Sequence, residues 1–256
     1  MKVAIITGAG GGIGRAIALR LHEEGYATVL AGRTPGPLES VADELKRAGG
    51  TALIVPTDVA KADHVQQLVQ KTLAEFGQVD VAVNNAGYAP MIPTPDITPA
   101  QWRDILDINL SSVFYLTRAV WPVMQRQHLE FVSDHRNQHG ETPWDRETTT
   151  GGTIVNISSV AARDPYPGLG AYAAAKLGVN MLTKVTAQEG EPNGIRVYAV
   201  APAGVETSMF RSLLSTDQVP TEEVLRPGDV ADTVAACLAG PMRWASGETL
   251  YLHRRV

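Results

Sequence analysis

The chain has 256 residues, of which 44% are hydrophobic and 19% are charged, and its formal net charge at pH 7 is −5. This composition is typical of a globular protein with a sizeable core, and it lacks the basic charge that a nucleic-acid partner requires. The single cysteine, Cys237, excludes an internal disulfide and suits a reducing compartment. No apolar run is long enough to span a membrane, and residues 1–6 lack a signal-peptide core, so we expect a cytoplasmic protein without membrane contact.

The first predicted strand, residues 3–6, leads into a glycine-rich turn and then a helical pattern over residues 15–24. Strand, glycine turn and helix in this order form the context in which a dinucleotide fingerprint binds a pyrophosphate. The spacing is looser than G-x-G-x-x-G, and a purely structural glycine turn is the alternative. The residues assigned here to cofactor binding are Gly8, Gly12, Ile13 and Gly14.

Residues 27–31 predict a second strand. In NAD-binding folds an acidic residue near the end of this strand binds the ribose hydroxyls, but here Gly32 takes that place and Arg33 follows. A guanidinium, with no carboxylate nearby to repel a phosphate, favours the 2′-phosphate of NADP(H). We therefore expect NADP(H) to be preferred, with NAD(H) possible. The alternative is that Arg33 is a solvated loop residue or only stacks on adenine.

The third and fourth predicted strands, residues 51–55 and 79–83, alternate with helices over residues 37–48 and 62–76. Asp58, which is followed by Val59, is a candidate acceptor for the adenine amino group, or alternatively a helix cap. The fourth strand ends in polar amides and a glycine, which suit close approach of a ligand to the backbone. The cofactor-binding candidates in this segment are Asn85, Ala86 and Gly87.

A capping-box start at Thr98 predicts a helix that continues to about residue 127. Asn109 lies inside this helix on an apolar stretch and needs hydrogen-bond partners. These are either a water or carbonyl near the active site, or partners in the core.

Residues 128–151 are polar and aperiodic, which predicts a solvated loop. His135 and His139 lie four apart in it, but without a cysteine or an evident helix we expect no metal site. Because this insertion connects a helix to the next strand, we expect it at the N-terminal edge of the sheet. Ligands bind at the opposite edge, so the insertion should lie far from the chemistry, where it is free to contact another subunit.

The fifth predicted strand, residues 153–157, is followed by Ser159, and thirteen residues later come Tyr172 and, four further on, Lys176. A run of helix formers places the tyrosine and lysine on one helical face, where the ammonium should lower the pKa of the phenol. Ser159 is then placed to hold a carbonyl oxygen while Tyr172 transfers a proton. Taken alone, the Tyr-x-x-x-Lys pair is better explained by chance on a surface helix, and it gains weight only from the rest of the chain.

The sixth predicted strand, residues 195–200, leads into a loop whose backbone and hydroxyl groups are candidates for binding a cofactor amide, namely Pro202, Val205 and Thr207. Residues 208–226 mix large apolar and polar side chains, which predicts either a mobile cover over an apolar substrate or a packed surface helix.

A helix over residues 228–239 and a strand over residues 249–252 complete the pattern. The alternation of strands and helices predicts a single α/β domain over residues 1–256, with a doubly wound parallel sheet that helices cover on both faces.

Together these motifs resemble those of the short-chain dehydrogenase/reductase family, in family order and over most of the chain. The matching features are Thr7-Gly8-x-x-x-Gly12-x-Gly14, Asn84-Asn85-Ala86-Gly87, Asn109, Ser159, Tyr172-x-x-x-Lys176 and residues 202–207. Three features depart from the family pattern: Ala203 replaces a usual glycine, residues 128–151 are longer than the usual connection, and no Asp-Gly-Gly tail precedes Val256.

The resemblance implies a Rossmann-like fold and hydride transfer with NAD(P). It assigns Tyr172 as general acid/base, Lys176 as pKa modulator and ribose binder, Ser159 as carbonyl polariser, and Asn109 as holder of a proton-relay water. It also implies a homo-oligomer, a tetramer or dimer, that packs the helices carrying Asn109 and Tyr172.

The sequence thus predicts an NADP(H)-dependent oxidoreductase that interconverts a carbonyl and a secondary alcohol. It does not choose among a 3-oxoacyl thioester, a small ketone, a sugar and a steroid-like alcohol. The alternatives are an NAD-dependent alcohol dehydrogenase and a non-catalytic nucleotide-sensing protein. The second of these would have no use for an intact set of Ser159, Tyr172 and Lys176.

Overall fold

The structure, a computed structural model, describes residues 1–139 and 151–254, except for the side chains of residue 135 and residues 137–139. One seven-stranded sheet, parallel throughout, has the strand order β3-β2-β1-β4-β5-β6-β7. This confirms the predicted Rossmann-like α/β class. The strands are β1 Lys2–Thr7, β2 Tyr26–Gly32, β3 Ala52–Pro56, β4 Val81–Asn84, β5 Gly152–Ile157, β6 Ile195–Pro202 and β7 Thr249–Leu252.

The helices follow the predicted alternation with the strands. Their bounds are α1 Gly12–Glu23, α2 Pro35–Arg47, α3 Ala62–Phe76, α4 Pro99–Leu106, α5 Ser112–His139, α6 Gly170–Gly190, α7 Ser208–Arg211 and α8 Pro227–Leu238. The predicted capping box at Thr98 is present, and a π-helical turn over Asp107–Ser111 joins α4 to α5. In the part of the chain that the structure describes, no helix combines the length and apolarity needed to cross a membrane.

Alternate residues of each strand point to opposite faces of the sheet, and both faces are buried. On one face Ile6 packs in a cluster with Leu21 of α1 and Val234 of α8. On the other face Ile5 packs with Leu68 of α3 and Leu116 of α5. Helices therefore cover both faces, as predicted, and the carboxyl edge of the sheet is left for a ligand.

The prediction of a solvated loop over residues 128–151 is wrong for its first half, because α5 continues to His139. A helix that runs into solvent needs no apolar stripe, so the search for apolar periodicity ended it too early. Residues 140–150 lie outside the described residues, as do the side chains of His135 and His139.

The position of this segment agrees with expectation. Gln127 of α5 donates through Nε2 to the carbonyls of Val79 (3.0 Å) and Gly151 (2.9 Å). These two residues precede β4 and β5, so α5 passes the N-terminal edge of the sheet before its last turns. Contact of this segment with another subunit stays a prediction.

Candidate active site

The carboxyl ends of β1, β4, β5 and β6 border a cleft of about 410 Å³. It lies where the strand order reverses between β1 and β4, the usual ligand position in open α/β sheets. Predicted site residues that line it are Gly8, Gly12, Ile13, Asn85, Ala86, Gly87, Ser159, Tyr172, Lys176, Pro202, Val205 and Thr207. The remaining predicted residues, Gly14, Arg33, Asp58, Val59 and Asn109, lie outside its lining.

The glycine turn leaves backbone N–H groups open at the start of α1. Gly8 and Gly12 have φ values of +65° and +50°, which side-chain-bearing residues rarely adopt. A Cβ atom on Gly14 would lie 2.2 Å from the carbonyl oxygen of Gly8. The helix begins after Gly11 with no side-chain cap, so its first N–H groups are free to bind an anion.

Hydrogen bonds to Thr7 connect the predicted Asn-Asn-Ala-Gly segment to this turn. Its Oγ1 accepts from the backbone N–H groups of Asn85 (3.0 Å) and Ala86 (3.1 Å). The Asn85 side chain in turn donates through Nδ2 to the carbonyls of Thr7 (2.8 Å) and Gly8 (3.2 Å). The Asn85 amide therefore fixes the turn while its residue lines the cleft.

Asn109 is fully buried in the π-helical turn and holds the chain after β4. Its Nδ2 donates to the carbonyls of Tyr88 (2.9 Å) and Ile105 (3.0 Å), and its Oδ1 accepts from the N–H of Tyr88 (3.2 Å). Its partners are thus backbone groups. A Cβ atom on Gly87 would lie 2.8 Å from Asn109 Oδ1 and 3.6 Å from Lys176 Nζ, which places both side chains beside this glycine.

Arg33 and Asp58 come together at the ends of β2 and β3. The N–H of Thr57 donates to the carbonyl of Gly32 (2.8 Å), which sets the two following segments side by side. Asp58 Oδ1 accepts from the N–H of Ala60 (3.2 Å) and so closes a turn. Arg33 is exposed, and no salt bridge involving it is found within the described ranges.

Ser159, Tyr172 and Lys176 converge in the cleft. The Ser159 hydroxyl accepts from the N–H of Ala161 (3.1 Å) and lies near enough to the Tyr172 phenol to lower its pKa. Lys176 follows one turn of α6 after Tyr172, and its Nζ donates to the carbonyl of Ile157 at 2.8 Å. Both α6 side chains are buried, with relative exposures of 9% for Tyr172 and 4% for Lys176.

Burial has the largest effect on the pKa values of Tyr172 and Lys176. It raises the pKa of Tyr172 above its usual value, against the lowering effect of the Ser159 hydrogen bond. Burial also lowers the pKa of Lys176 to about 8. The predicted net lowering of the Tyr172 pKa is therefore not found in this structure, because burial disfavours the phenolate. The phenol is in its protonated, proton-donating form at neutral pH.

The segment after β6 supplies apolar side chains to the cleft. A cover over an apolar substrate, one of the two predictions for residues 208–226, requires such side chains. Thr207 Oγ1 caps α7 by accepting from the N–H of Phe210 (3.2 Å) and donates to the carbonyl of Val205 (3.2 Å). Arg211 anchors the segment through Nε to Glu206 Oε1 (2.7 Å) and through Nη1 to the carbonyl of Val219 (2.7 Å). Residues of this segment that line the cleft are Met209, Phe210, Leu213 and Leu214.

Sequence reasoning missed several lining residues, above all Asp164, Tyr166 and Leu169. They belong to the loop between Ser159 and Tyr172. A loop that joins two elements of one site must border that site, and this signal was available in the sequence. Ala203, which replaces a family glycine, is accommodated in the cleft lining and donates its N–H to the carbonyl of Leu252 (2.9 Å).

A parallel sheet with a glycine turn at its switch point, and a serine beside a buried tyrosine and lysine, define a nucleotide-binding oxidoreductase. The chain belongs to the short chain dehydrogenase family, whose model matches residues 2–129 and 144–218. It is therefore an NAD(P)-dependent oxidoreductase. The stretch between the two matched ranges falls within the insertion predicted at residues 128–151.

Curated relatives and solved structures agree with this assignment. The chain is 33% identical to the 3-oxoacyl-[acyl-carrier-protein] reductase of Staphylococcus epidermidis, over 98% of this chain and 97% of the relative. An uncharacterized oxidoreductase of Staphylococcus aureus is 31% identical, over 94% and 92%. The crystal structure of the 3-ketoacyl-(acyl-carrier-protein) reductase from Brucella melitensis complexed with NADH superposes with a TM-score of 0.85, at 29% identity and over 98% and 96% of the chains.

Proposed function

We propose that this protein is an NADP(H)-dependent reductase that converts a carbonyl into a secondary alcohol, with Tyr172 as the proton donor. The observation that carries the proposal is the Tyr172 phenol, which lines the cleft together with Ser159 and stands one turn before Lys176. A phenol that is protonated at neutral pH has a proton to give to an oxygen that gains negative charge, as carbonyl reduction requires.

The glycine turn fits the pyrophosphate of a dinucleotide. A Cβ atom on Gly14 would collide with the Gly8 carbonyl, and the uncapped start of α1 offers N–H groups to an anion. The loop after β6 also lines the cleft, and we propose that its residues Pro202, Val205 and Thr207 hold the nicotinamide. When bound, the reduced nicotinamide supplies a hydride to the carbonyl carbon.

In this proposal Ser159 and Tyr172 hold the carbonyl oxygen between them. The Ser159 hydroxyl polarises the carbonyl, and the Tyr172 proton moves to the oxygen as negative charge develops there. Lys176, with a pKa of about 8, is mainly an ammonium at neutral pH and stabilises the phenolate that remains. The buried position of both side chains strengthens this attraction.

Asn109 is assigned a supporting role in returning a proton to the site. Its buried side chain and that of Lys176 both border Gly87, which supports the proposal that Asn109 helps to hold a water that returns a proton towards Lys176. Its hydrogen bonds to Tyr88 and Ile105 keep this side of the cleft in place.

NADP(H) is proposed over NAD(H) on the charge at the end of β2. Arg33 follows β2 and is exposed, so its guanidinium is open to a 2′-phosphate. The NADH complex of the Brucella melitensis reductase favours NAD(H) as the alternative cofactor. The adenine contacts assigned to Asp58 and Val59 apply to both cofactors.

We further propose a cytoplasmic, single-domain protein that assembles as a homotetramer or dimer. Exposed apolar side chains on neighbouring helices support the assembly: Phe114 of α5 is 49% exposed, and Leu177 and Met181 of α6 are 57% and 60% exposed. Leu177 and Met181 lie one turn apart, so they form an apolar stripe on the helix that carries Tyr172.

Fluorescence titration of the purified protein with NADPH and NADH, followed by NADPH oxidation with a panel of carbonyl compounds, tests the proposal. We expect NADPH to bind at least about tenfold more tightly, a difference of about 1.4 kcal/mol. Equal or tighter binding of NADH would make Arg33 irrelevant to cofactor choice and favour alcohol oxidation. Binding without any oxidation, 3-oxoacyl thioesters included, would favour a nucleotide-sensing protein. Failure to bind either nucleotide would overturn the proposal.

A further inference from the structure

Two charged side chains are found among the described residues that line the cleft, Lys176 and Asp164. Lys176 is 4% exposed, and its Nζ already donates to the Ile157 carbonyl deep in the site. The Asp164 side chain is 58% exposed, in the loop that follows Ser159. Asp164 is therefore the charged group that the outer part of a substrate meets.

Asp164 is held from outside the cleft by Arg163. The Nε and Nη2 atoms of Arg163 donate to Asp164 Oδ2 at 3.0 Å and 2.9 Å. The guanidinium lies 4.2 Å from the centroid of the Tyr251 ring, and its Nη2 lies 3.0 Å from His253 Nε2. Arg163 itself is not part of the cleft lining. Its guanidinium lies between Asp164 and Tyr251 of β7, so a substrate in the cleft meets the carboxylate of this ion pair.

The carboxylate keeps acceptor capacity for a ligand. An ionised carboxylate has about four acceptor positions, and both bonds from Arg163 reach the same oxygen, Oδ2. Tyr251 is itself fixed, because its hydroxyl accepts from Asn180 Nδ2 (3.2 Å). Asn180 also accepts from the hydroxyl of Ser158 (2.5 Å), which precedes Ser159. Arg163, Tyr251 and Asn180 therefore connect Asp164 to the end of β5, the strand that precedes Ser159.

Much of the cleft lining apart from Asp164 is apolar and includes Met91, Leu169, Met209 and Leu213. Such a lining favours a substrate with an apolar body. A carboxylate on the substrate would lose hydration and meet a like charge there. An ammonium or a hydrogen-bond donor would meet an acceptor.

We propose that Asp164 is a specificity-determining residue. It makes the cleft select carbonyl compounds that have an apolar body and a cationic or hydrogen-bond-donating end, against those that carry a carboxylate. This proposal rests on the carbonyl reductase function proposed above. Arg163 and Tyr251 are positioning residues, because they act on the substrate through Asp164.

Three ketones that share one ring and one carbonyl test the proposal: 4′-(aminomethyl)acetophenone, 4′-methylacetophenone and 4-acetylbenzoate. Their kcat/KM values are measured with NADPH at neutral pH and low salt. We expect the cationic ketone to exceed the anionic one by at least about tenfold in the wild type. The difference should shrink at about 0.5 M salt, because screening weakens electrostatic but not steric selection.

The decisive variant is Asp164→Asn, which should bring the cationic and anionic ketones to within about threefold of each other. Asp217→Asn is the matched control, since Asp217 is an exposed acid in the segment after β6 that does not line the cleft. It should keep the wild-type ratio. Equal kcat/KM values in the wild type, or an unchanged ratio in Asp164→Asn, overturn the proposal.

Binding measurements separate this proposal from the carbonyl reductase function. If no compound of the carbonyl panel is reduced, these three ketones and 3-oxoacyl thioesters included, that function fails, and the dissociation constants of the three ketones are then measured by calorimetry in the presence of NADPH. Tighter binding of the cationic ketone, lost in Asp164→Asn but kept in Asp217→Asn, supports the role of Asp164. Equal affinities, or no binding of any of the three, overturn it.

Discussion

The Nζ atom of Lys176 lies 5.6 Å from the centroid of the Tyr172 ring, but its hydrogen bond of 2.8 Å goes to the carbonyl of Ile157. The lysine is therefore fixed to the end of β5, the strand that also leads to Ser159. Its ammonium acts on the phenol through space in a buried environment. The relative positions of all three side chains thus depend on the packing of α6 against β5.

Tyr172→Phe should abolish turnover and spare cofactor binding, because it removes the hydroxyl and keeps the ring. We expect kcat to fall by about 10²–10⁴-fold, the range for loss of a general acid. The dissociation constant for NADPH should change by less than about threefold, a small free-energy difference. Steady-state kinetics and fluorescence titration measure the two quantities. Tyr115→Phe on α5 is the control, and wild-type turnover in the Tyr172 variant would remove its assignment.

Arg33→Ala should raise KM for NADPH far more than KM for NADH. A charge-assisted hydrogen bond is worth about 1.5–3 kcal/mol, which corresponds to a tenfold or greater loss of affinity. Arg47→Ala provides the comparison, since Arg47 is an exposed arginine at the end of α2. Should both cofactors be affected equally by the Arg33 change, the argument for NADP(H) fails.

Lys176→Met should abolish turnover and yet stabilise the fold at neutral pH. The folded pKa of about 8 lies below the ordinary value of 10.5, so burying the ammonium costs roughly 3 kcal/mol at pH 7. Loss of the bond to the Ile157 carbonyl offsets about 1 kcal/mol of the gain. We expect a net increase of about 1–2 kcal/mol in the free energy of unfolding, measured with urea.

The pH dependence of this gain has a definite sign. The cost of the ammonium is constant below the folded pKa and disappears as the pH rises from about 8 towards 10.5, where Lys176 is neutral in both states. The stability difference between variant and wild type should therefore shrink by half or more between about pH 7 and pH 9.5. Lys184→Met, at an exposed position of the same helix, should show no such trend. A gain that grows with pH would contradict the buried ammonium.

Gly14→Ala should destabilise the protein and weaken cofactor binding. The new Cβ atom would lie 2.2 Å from the Gly8 carbonyl and 2.6 Å from Asn85 Nδ2, so the glycine turn must shift. We expect a loss of at least about 1–3 kcal/mol in the free energy of unfolding. Gly36→Ala is the matched control, because nothing lies within 4 Å of its added Cβ atom. That variant should be neutral or slightly more stable, and equal losses in both would refute the steric argument.

Local patterns were sufficient where the relevant interaction is itself local. The one-turn spacing of Tyr172 and Lys176 places both on α6, and the capping box at Thr98 formed as predicted. The polar extension of α5 to His139 was missed, because a helix in solvent carries no apolar periodicity. Asp164 was missed because one acidic residue in a loop has no pattern of its own.

The sequence by itself determined the α/β class, the order of the elements and the residues that meet at the carboxyl edge, because strand and helix periods and glycine turns are encoded within short stretches of chain. Only the tertiary structure decided the pKa values and the hydrogen-bond partners of those residues. The raised pKa of Tyr172, the partner of Lys176 and the backbone contacts of Asn109 depend on burial and on neighbours distant in sequence. Desolvation and long-range contacts arise when the elements pack, so no local pattern records them.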